Sequence, residues 1–463
     1  LHEPYRRQRQ MCIRDSYIGC RFFTEDCEVV LPAASLEIPA GTDEFFVPKL
    51  FYRAEYADFC NNNRYAPKHK LNAYLSGNLD GYGGGVSYAA GAFVHTFRQL
   101  AEMKEYKVGD QPCLTDPAVY ETVLKNVRAW LDSNRNATII SVSPNDSYTN
   151  QAGCRCANCK ALDDQYGSPM GSLLTFVNRI ARDIREDYPQ VYVETLAYHY
   201  TQTPPVGLVA EDNVLIRLCP SACCMVHGIA GCERGDTFRA DLTAWSKICK
   251  NLSIWHYSVN FGNYLLPLPN LFSIYDDVQL YLQNGVVSIF DEAAYNSRTG
   301  EFEELRSYLF SKLMWNPDMT REEYERHMNE FLQYYYGDGW EYIRRYIDAT
   351  YTEIAGVAHF NHAANAETVY PVEKSDDSFA FLSAMYGLFE KAEAAATTPE
   401  EATRIRKSSV QALYLWLYRM DRFAPEDMKE KLAALIKEAH IAMSSEGRVV
   451  PAKLPVRKPV RLW

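Results

Sequence analysis

The feature that most constrains the fold is an alternation of short β-rich runs with amphipathic stretches, which begins at Lys49. This alternation is typical of parallel strands joined by helices within one sheet. Three weaker candidate strands lie at 50–56, at 70–76 and within the glycine-rich region 81–97. Five later runs are apolar enough to predict buried strands: ATIISVS (137–143), VYVETLAY (191–198), NVLIRLC (213–219), LSIWHYS (252–258) and GVVSIFDE (285–292).

Helical segments separate the stronger runs. DPAVYETVLKNVRAWLDSN predicts a helix with Asp116 as its N-cap and Pro117 at the first helical position. MGSLLTFVNRIARDIREDYP carries one apolar face and stops before Pro189. Eight strands alternating with helices over residues 49–320 predict a (β/α)8 barrel of the TIM type, which typically takes about 250 residues. A doubly wound open sheet is the alternative, although no G-x-G-x-x-G follows the first strand.

The two ends of the chain differ from this central part. Residues 321–463 carry apolar residues at helical spacing, which predicts an α-helical C-terminal domain. Residues 1–16 have no hydrophobic period, and codons for the segment MCIRDS resemble the end of a sequencing adapter. We therefore expect an assembly artefact that packs against nothing, fused where a signal peptide could have been lost.

The amino-acid composition limits the kinds of molecule that this protein is expected to bind. The net charge of -11 argues against nucleic acid, because phosphate binding needs clustered Lys and Arg. No apolar run reaches the ~18 residues that a membrane span needs. The 33 Tyr and 7 Trp suit a protein that stacks rings on sugars, although most single rings are expected to be core. The 13 Cys favour a secreted or periplasmic protein with some disulfides.

We expect the catalytic residues at the carboxyl ends of the predicted strands, because active sites of (β/α)8 barrels lie there. Asp146 follows the fourth strand, Glu194 lies in the fifth and Glu292 ends the eighth. Two carboxyl groups that flank a glycosidic bond form the acid and the base or nucleophile of a glycoside hydrolase, without a catalytic cofactor. We expect Asp146 to be the acid, with Glu194 and Glu292 competing for the second role. The alternatives are a turn cap for Asp146 and a helix N-terminal carboxylate for Glu292.

Polar and aromatic residues near the same strand ends are the candidate substrate-binding groups. They are His95, Asn145, Tyr198, Arg217, Trp255, Tyr257 and Asp291. An oligosaccharide or polysaccharide is the substrate class that this mixture fits. A non-catalytic carbohydrate-binding barrel is the alternative function, and the two differ in whether two carboxyl groups face one cleft.

Three cysteines follow the fourth strand in a C-x-C-x-x-C pattern, at Cys154, Cys156 and Cys159. A structural zinc site needs a fourth ligand, which Cys113, Cys219 or Cys224 could supply. A disulfide to a neighbouring loop is the alternative. In both cases the cysteines would brace the loop that carries Asn145 and Asp146, so we expect them to form the rim of the active site.

Several of these segments resemble a bacterial family of unknown function that is grouped with (β/α)8 glycosidases. They are SVSPNDSYTNQAGCRCANC, GSLLTFVNRIARDI, VETLAY, DNVLIRLCP, IWHYSVNF and LRSYLFSKLMWNP. The family follows an α-glucuronidase-type N-terminal domain, and residues 17–48 resemble the end of that domain. The resemblance implies a secreted or periplasmic carbohydrate-active enzyme and leaves the sugar open.

Overall fold

The computed structural model describes residues 18–451 apart from several short gaps. The gaps are 33, 36–39, 42, 44–45, 63, 74–78, 80–84, 106, 108–109, 148–152, 300, 356–358, 365–375 and 421–423. The predicted artefact at 1–16 and the start of the glycine-rich region lie outside the described residues. None of the described helices is both long enough and apolar enough to cross a membrane.

The centre of the protein is a curled, parallel six-stranded sheet. Its strands are β3 (Tyr52–Tyr56), β4 (Ile139–Ser141), β5 (Tyr192–Ala197), β6 (Val214–Leu218), β7 (Asn251–Tyr257) and β8 (Val286–Glu292). Their order is β3-β8-β7-β6-β5-β4, so each strand from β4 to β8 lies beside its neighbour in the sequence. This order confirms the predicted parallel sheet. Six of the eight predicted strands form it, and the sheet amounts to a half-barrel.

The two remaining predicted strands fall between β3 and β4. Asn72 donates its backbone N–H to Arg53 over 3.1 Å, and Val86 donates to Asn72 over 2.8 Å. Tyr88 forms an isolated parallel bridge with Ile139 of β4. Among the residues of these two segments that the structure describes, such isolated bonds do not form a strand.

Helices cover the outer face of the sheet. They are α1 (Tyr65–Lys68), α2 (Phe97–Leu100), α3 (Pro117–Ser133), α4 (Ala157–Tyr166), α5 (Met170–Ile184), α6 (Asp236–Ile248), α7 (Ser273–Gln283) and α8 (Glu303–Trp315). The predicted cap of α3 is confirmed, because the Asp116 side chain accepts the Ala118 N–H over 2.8 Å. Only the 3-10 turn His199–Thr201 lies between β5 and β6, so this pair departs from strict alternation.

The C-terminal part is helical, apart from a two-stranded hairpin of β9 (Met443–Ser445) and β10 (Arg448–Val449). Its helices are α9 (Arg321–Tyr336), α10 (Trp340–Ala355), α11 (Asp376–Ala395), α12 (Pro399–Ser408), α13 (Val410–Met420) and α14 (Glu426–Glu438). Thr320 caps α9 in a reciprocal bond pair with Glu323, which fixes where this helix begins.

The chain also starts its described part with a hairpin, β1 (Cys20–Thr24) and β2 (Cys27–Val30). This hairpin packs on the helices. Arg21 forms an ion pair with Glu330 of α9 at 2.6 Å. The ring of Phe23 lies 5.5 Å from Phe331 of the same helix. The hairpin, which lies within the segment predicted to be the remnant of another domain, therefore packs on the helical part of the chain.

Candidate active site

The direction of each side chain at the sheet decides which predicted residues can meet. Successive side chains of a strand point to opposite faces. On β8, Phe290 belongs to the apolar cluster that also contains Tyr52 and Leu215, which places it on the concave inner face. Glu292 therefore shares the inner face, at the carboxyl end of the strand. Asp291 points outward to the helix layer.

Glu194 lies deep on the inner face, below the sheet edge. Its Oε2 accepts a hydrogen bond from the Tyr88 hydroxyl over 2.7 Å and lies 2.7 Å from Nη2 of Arg217. The side chains of Glu194 and Arg217 are both 0% exposed. Burial raises the pKa of Glu194, and the Arg217 charge opposes this rise. The two side chains therefore form a buried ion pair on the inner face of the sheet.

Glu292 occupies a different environment, half-buried at the end of β8. The indole N–H of Trp255 on β7 donates to its Oε2 over 2.8 Å. Burial raises the pKa of Glu292 to about 8, and this hydrogen bond from Trp255 opposes the rise. A carboxyl group with such a pKa carries its proton at neutral pH, as a general acid must.

Asp146 follows β4 and is also half-buried. Its negative charge is one of the causes that raise the pKa of Glu292. It likewise contributes to the raised pKa of Tyr257, after burial and the nearer Cys219 and Glu292. Asp146 and Glu292 therefore interact electrostatically, although burial, the Trp255 hydrogen bond and the charges of Glu446 and Asp291 affect the pKa of Glu292 more.

Aromatic rings flank Glu292 on both sides. Tyr56 of β3 and Tyr257 of β7 are its direct register partners in the two neighbouring strands. Tyr56 stacks on Tyr295 with centroids 4.8 Å apart and planes at 2°. Tyr257 stacks on His362 at 4.5 Å and 14°. Tyr56, Tyr295 and His362 are partly exposed, whereas Tyr257 is buried beneath His362. Flat rings with an exposed face provide the kind of surface on which sugar rings pack.

Two histidines at this edge have left-handed backbone conformations. His95 has φ +57° and His199 has φ +49°. Non-glycine residues rarely adopt this conformation, and such strain concentrates at functional sites. Nδ1 of His95 lies 2.8 Å from the carbonyl oxygen of Pro144, just before Asn145 and Asp146. The charge of Asp146 acts on His199, so both histidines border the end of β4.

Two further predicted substrate-binding residues have other partners. Asn145 is 3% exposed and accepts the backbone N–H of Arg98 over 2.8 Å, while its amide donates to the carbonyl of Asp110 over 2.8 Å. These hydrogen bonds hold the backbone at Arg98 and at Asp110 next to the end of β4. Asp291 is 0% exposed and accepts the Ser258 hydroxyl over 2.7 Å on the outer face. Neither side chain faces the cleft.

The remaining predicted residues, Tyr198 and Trp255, are partly exposed near the same edge. Sequence reasoning missed Tyr56, Tyr295 and His362. Tyr56 could have been found, because it ends a predicted strand. His362 follows α10 and Tyr295 lies three residues beyond β8, so the rule of strand ends does not reach them.

The three cysteines after β4 form a cluster with a fourth one. The sulfur atoms of Cys113, Cys154, Cys156 and Cys159 all lie within 4.8 Å of one another. Cys113 Sγ lies 3.6 Å from Cys156 Sγ and 3.9 Å from Cys159 Sγ. Cys156 also caps α4, since its sulfur accepts the Cys159 N–H over 3.4 Å. Cys113 is therefore the fourth member, out of the three candidates that the sequence left open.

A cavity of 610 Å³ adjoins this cluster, lined among others by Phe97, Cys154, Asp163 and Tyr200. Neither Asp146 nor Glu292 lines it. Because neither carboxyl group lines this cavity, it does not define the candidate active site.

Comparison with solved structures supports the fold. The chain resembles a GH115 4-O-methyl-α-glucuronidase, BtGH115A, described as specific for decorated arabinogalactans, with a TM-score of 0.52 at 12% identity. The match covers 88% of this chain and 64% of that chain, so this chain spans less than two thirds of the glucuronidase's length. A GH138 enzyme that targets pectin rhamnogalacturonan II matches 73% of this chain and 55% of its own, at 10% identity and a TM-score of only 0.34. These structural neighbours are glycoside hydrolases.

No curated protein sequence matches the chain. A family model described as "Domain of unknown function (DUF4838)" matches residues 22–348, which is more than half of the chain. The match runs from the N-terminal hairpin through the sheet and into α10. The chain therefore belongs to the DUF4838 family.

Proposed function

We propose that this protein is a glycoside hydrolase that cleaves O-glycosidic bonds of a plant or host glycan. The observation that carries the proposal is the environment of Glu292. It is a carboxyl group at a strand end, half-buried, with a pKa raised to about 8 and an aromatic residue on each neighbouring strand. The likeness in fold to a GH115 enzyme agrees with this class of reaction.

In this proposal Glu292 is the general acid and Asp146 is the base or nucleophile, which reverses the roles expected from the sequence. The reason is burial. Burial raises the pKa of Glu292 to about 8, and the indole N–H of Trp255 on β7 donates to its carboxyl group. Glu194 has no part in the reaction, because it is fully buried and paired with Arg217.

The reaction needs Glu292 to donate a proton to the departing glycosidic oxygen while Asp146 acts from the other face of the sugar. A separation of about 5–5.5 Å between the two carboxyl groups in the substrate complex would give retention, and about 6.5–9.5 Å would give inversion. Tyr56 and the His362 ring that stacks on Tyr257 would position the sugar ring, since Tyr56 and Tyr257 flank Glu292. We also propose that the segments around Asn72 and Tyr88 take the places of the second and third strands of a (β/α)8 barrel, since they bond to β3 and β4.

We further propose one structural zinc ion at Cys113, Cys154, Cys156 and Cys159. Zn–S bonds of about 2.3 Å in a tetrahedron place sulfur atoms about 3.8 Å apart, close to the 3.6 and 3.9 Å found here. A disulfide would need about 2.05 Å. The ion would anchor the loop after β4, which carries Asp146, to the start of α4.

The proposal is tested with a panel of aryl glycosides and plant and host polysaccharides. Wild-type protein should release reducing sugar from at least one substrate, and Glu292→Gln and Asp146→Asn should each lose about 100-fold or more in turnover. The matched control is Glu400→Gln, an exposed carboxylate at the start of α12. Binding of a glycan without hydrolysis would instead favour the non-catalytic carbohydrate-binding alternative.

A further inference from the structure

A second group of metal-ligand side chains is separate from the four cysteines and lies around the loop after β6. Cys224, His227 and Cys232 belong to the long loop between β6 and α6. His359 follows α10, more than a hundred residues later in the chain. The ligand atoms of all four residues lie within 4.8 Å of one another.

The contacts within this group pair each sulfur with one imidazole. Cys224 Sγ lies 3.2 Å from His227 Nδ1, and Cys232 Sγ lies 3.3 Å from His359 Nδ1. The two imidazole rings are 4.5 Å apart between centroids. With Zn–S bonds of about 2.3 Å and Zn–N bonds of about 2.0–2.1 Å, a tetrahedron has sulfur–nitrogen edges of about 3.6 Å. The observed distances are within a few tenths of an ångström of that edge.

The backbone around these residues is fixed from several directions. Arg239 donates to the carbonyl oxygen of Cys232 over 2.8 Å, and Arg234 donates to that of His359 over 3.0 Å. Between the first two ligands, Met225 donates its N–H to the carbonyl of Phe360 over 2.9 Å. These hydrogen bonds already hold the loop and the distant segment next to each other. A metal ion would add a further link between them through the four side chains.

We propose that Cys224, His227, Cys232 and His359 bind one zinc ion, and that this ion ties the segment 359–364 to the loop after β6. Two thiols lose their protons on binding and two imidazoles bind as neutral ligands. The site with Zn²⁺ then has no net charge, and two protons are released per ion. Such a neutral N2S2 site suits the partly buried position of the cluster.

The proposed zinc ion would also affect the candidate active site, an inference that rests on the proposed function. Three residues beyond His359, the ring of His362 stacks on Tyr257. The carbonyl of His362 accepts the Phe261 N–H over 2.6 Å. Tyr257 is the register partner of Glu292. The zinc ion would therefore position His362 at the rim of the sugar site, without contacting the substrate itself.

The first test is metal content, which is independent of activity. Purified protein is loaded with zinc, desalted and analysed by mass spectrometry of the metal. Wild type should hold two zinc ions per chain. Cys232→Ser and His359→Ala should each hold one, Cys154→Ser should also hold one, and Cys249→Ser should hold two. Cys249 is the matched control, because it is a buried free thiol outside both clusters.

Cobalt identifies which site remains. With Co²⁺ in place of zinc, Cys154→Ser should show the visible spectrum of a tetrahedral N2S2 site, and Cys232→Ser that of an S4 site. Unchanged zinc content in both Cys232→Ser and His359→Ala would overturn the proposal. So would a disulfide between Cys224 and Cys232 in wild-type protein, found by mass mapping without reduction. If Cys232→Ser does not fold, His359→Ala decides, because His359 lies at a partly exposed position.

The second test concerns the position of His362. On a confirmed substrate, His359→Ala should raise KM several-fold with little change in kcat, because the rim is displaced while Glu292 and Asp146 stay in place. Loss of zinc without any change in KM would contradict the coupling to the sugar site and leave the metal site standing. Failure of every variant and of wild type to hydrolyse any glycan would instead overturn the proposed function.

Discussion

At the scale of single residues, the proton of Glu292 is the feature with the clearest kinetic signature. A general acid works only while protonated, so kcat/KM should be maximal below the pKa of about 8 and fall as the pH rises through it. The Trp255 N–H favours the ionised form, so Trp255→Phe should move this basic limb to higher pH. Both predictions are measured by recording kcat/KM of wild type and Trp255→Phe from pH 5 to 10. Trp416→Phe in α13 is the control and should leave the limb in place.

The buried pair of Glu194 and Arg217 makes a prediction about stability. Glu194→Gln leaves the Arg217 charge buried without its counter-ion, which should lower the free energy of unfolding by about 3–5 kcal/mol. The double variant Glu194→Gln/Arg217→Met removes both charges and should cost less than the sum of the losses in Glu194→Gln and Arg217→Met. Urea unfolding of the four proteins measures this coupling. Additive losses would show that the pair is not a unit.

At the scale of elements, the loop after β4 depends on the four-cysteine cluster. Cys113→Ser should remove one zinc ion per chain and lower Tm, and a chelator should lower the Tm of wild type in the same way. Cys249→Ser is again the control. Full reactivity of all four thiols in native, metal-free wild type, with an unchanged Tm, would contradict a bracing role for this cluster.

The sequence predicted the elements that have a strong local pattern. The run around Ile140, the helix that Asp116 caps and the strand that ends at Glu292 are all where hydrophobic period and capping rules placed them. The segments around Asn72 and Tyr88 were harder, because their described residues make only a few isolated backbone bonds to β3, to β4 and to each other. A pattern of side chains along the chain carries little information about such isolated backbone contacts.

The candidate site was predictable to the extent that strand ends determine it. Asp146 and Glu292 came from that rule and share one neighbourhood. The alternation of side chains along β8 separates Asp291 from Glu292, and applying it would have placed Asp291 on the outer face. The same alternation does not reveal the ion pair of Glu194, because its partner Arg217 becomes adjacent only when β5 and β6 pair. His359 and His362 come from a distant segment, so tertiary packing alone reveals them.

At the scale of the whole molecule, buried carboxyl groups should make stability depend on pH. Glu55 of β3 and Asp291 of β8 lie opposite each other on the outer face. Burial raises the pKa of Asp291 to about 7, and burial together with the Asp291 charge raises that of Glu55. Both groups hold protons more tightly in the folded chain than in the unfolded chain. Protonation of these two groups therefore stabilises the folded chain at low pH, and this contribution to the free energy of unfolding is lost as the pH rises through about 7.

Wild-type Tm should fall by about 3 °C or more between pH 5.5 and 8.5, since one kcal/mol corresponds to roughly 2–4 °C in a large domain. Glu55→Gln keeps a neutral hydrogen-bonding group next to Asp291 and should flatten this dependence. Glu400→Gln, at an exposed position, should not. A Tm that rises over this range, or an equal slope in Glu55→Gln, would contradict this account of the carboxyl pair.

The central claim is that Glu292 protonates a departing sugar oxygen. The most direct measurement compares turnover of wild type and Glu292→Gln on two aryl glycosides of the same sugar, one with a strongly acidic phenol and one with a weakly acidic phenol. The account predicts a loss of about 100-fold or more on the weakly acidic leaving group and a much smaller loss on the strongly acidic one, which needs little protonation. An equal loss on both substrates, or no loss on either, would contradict it.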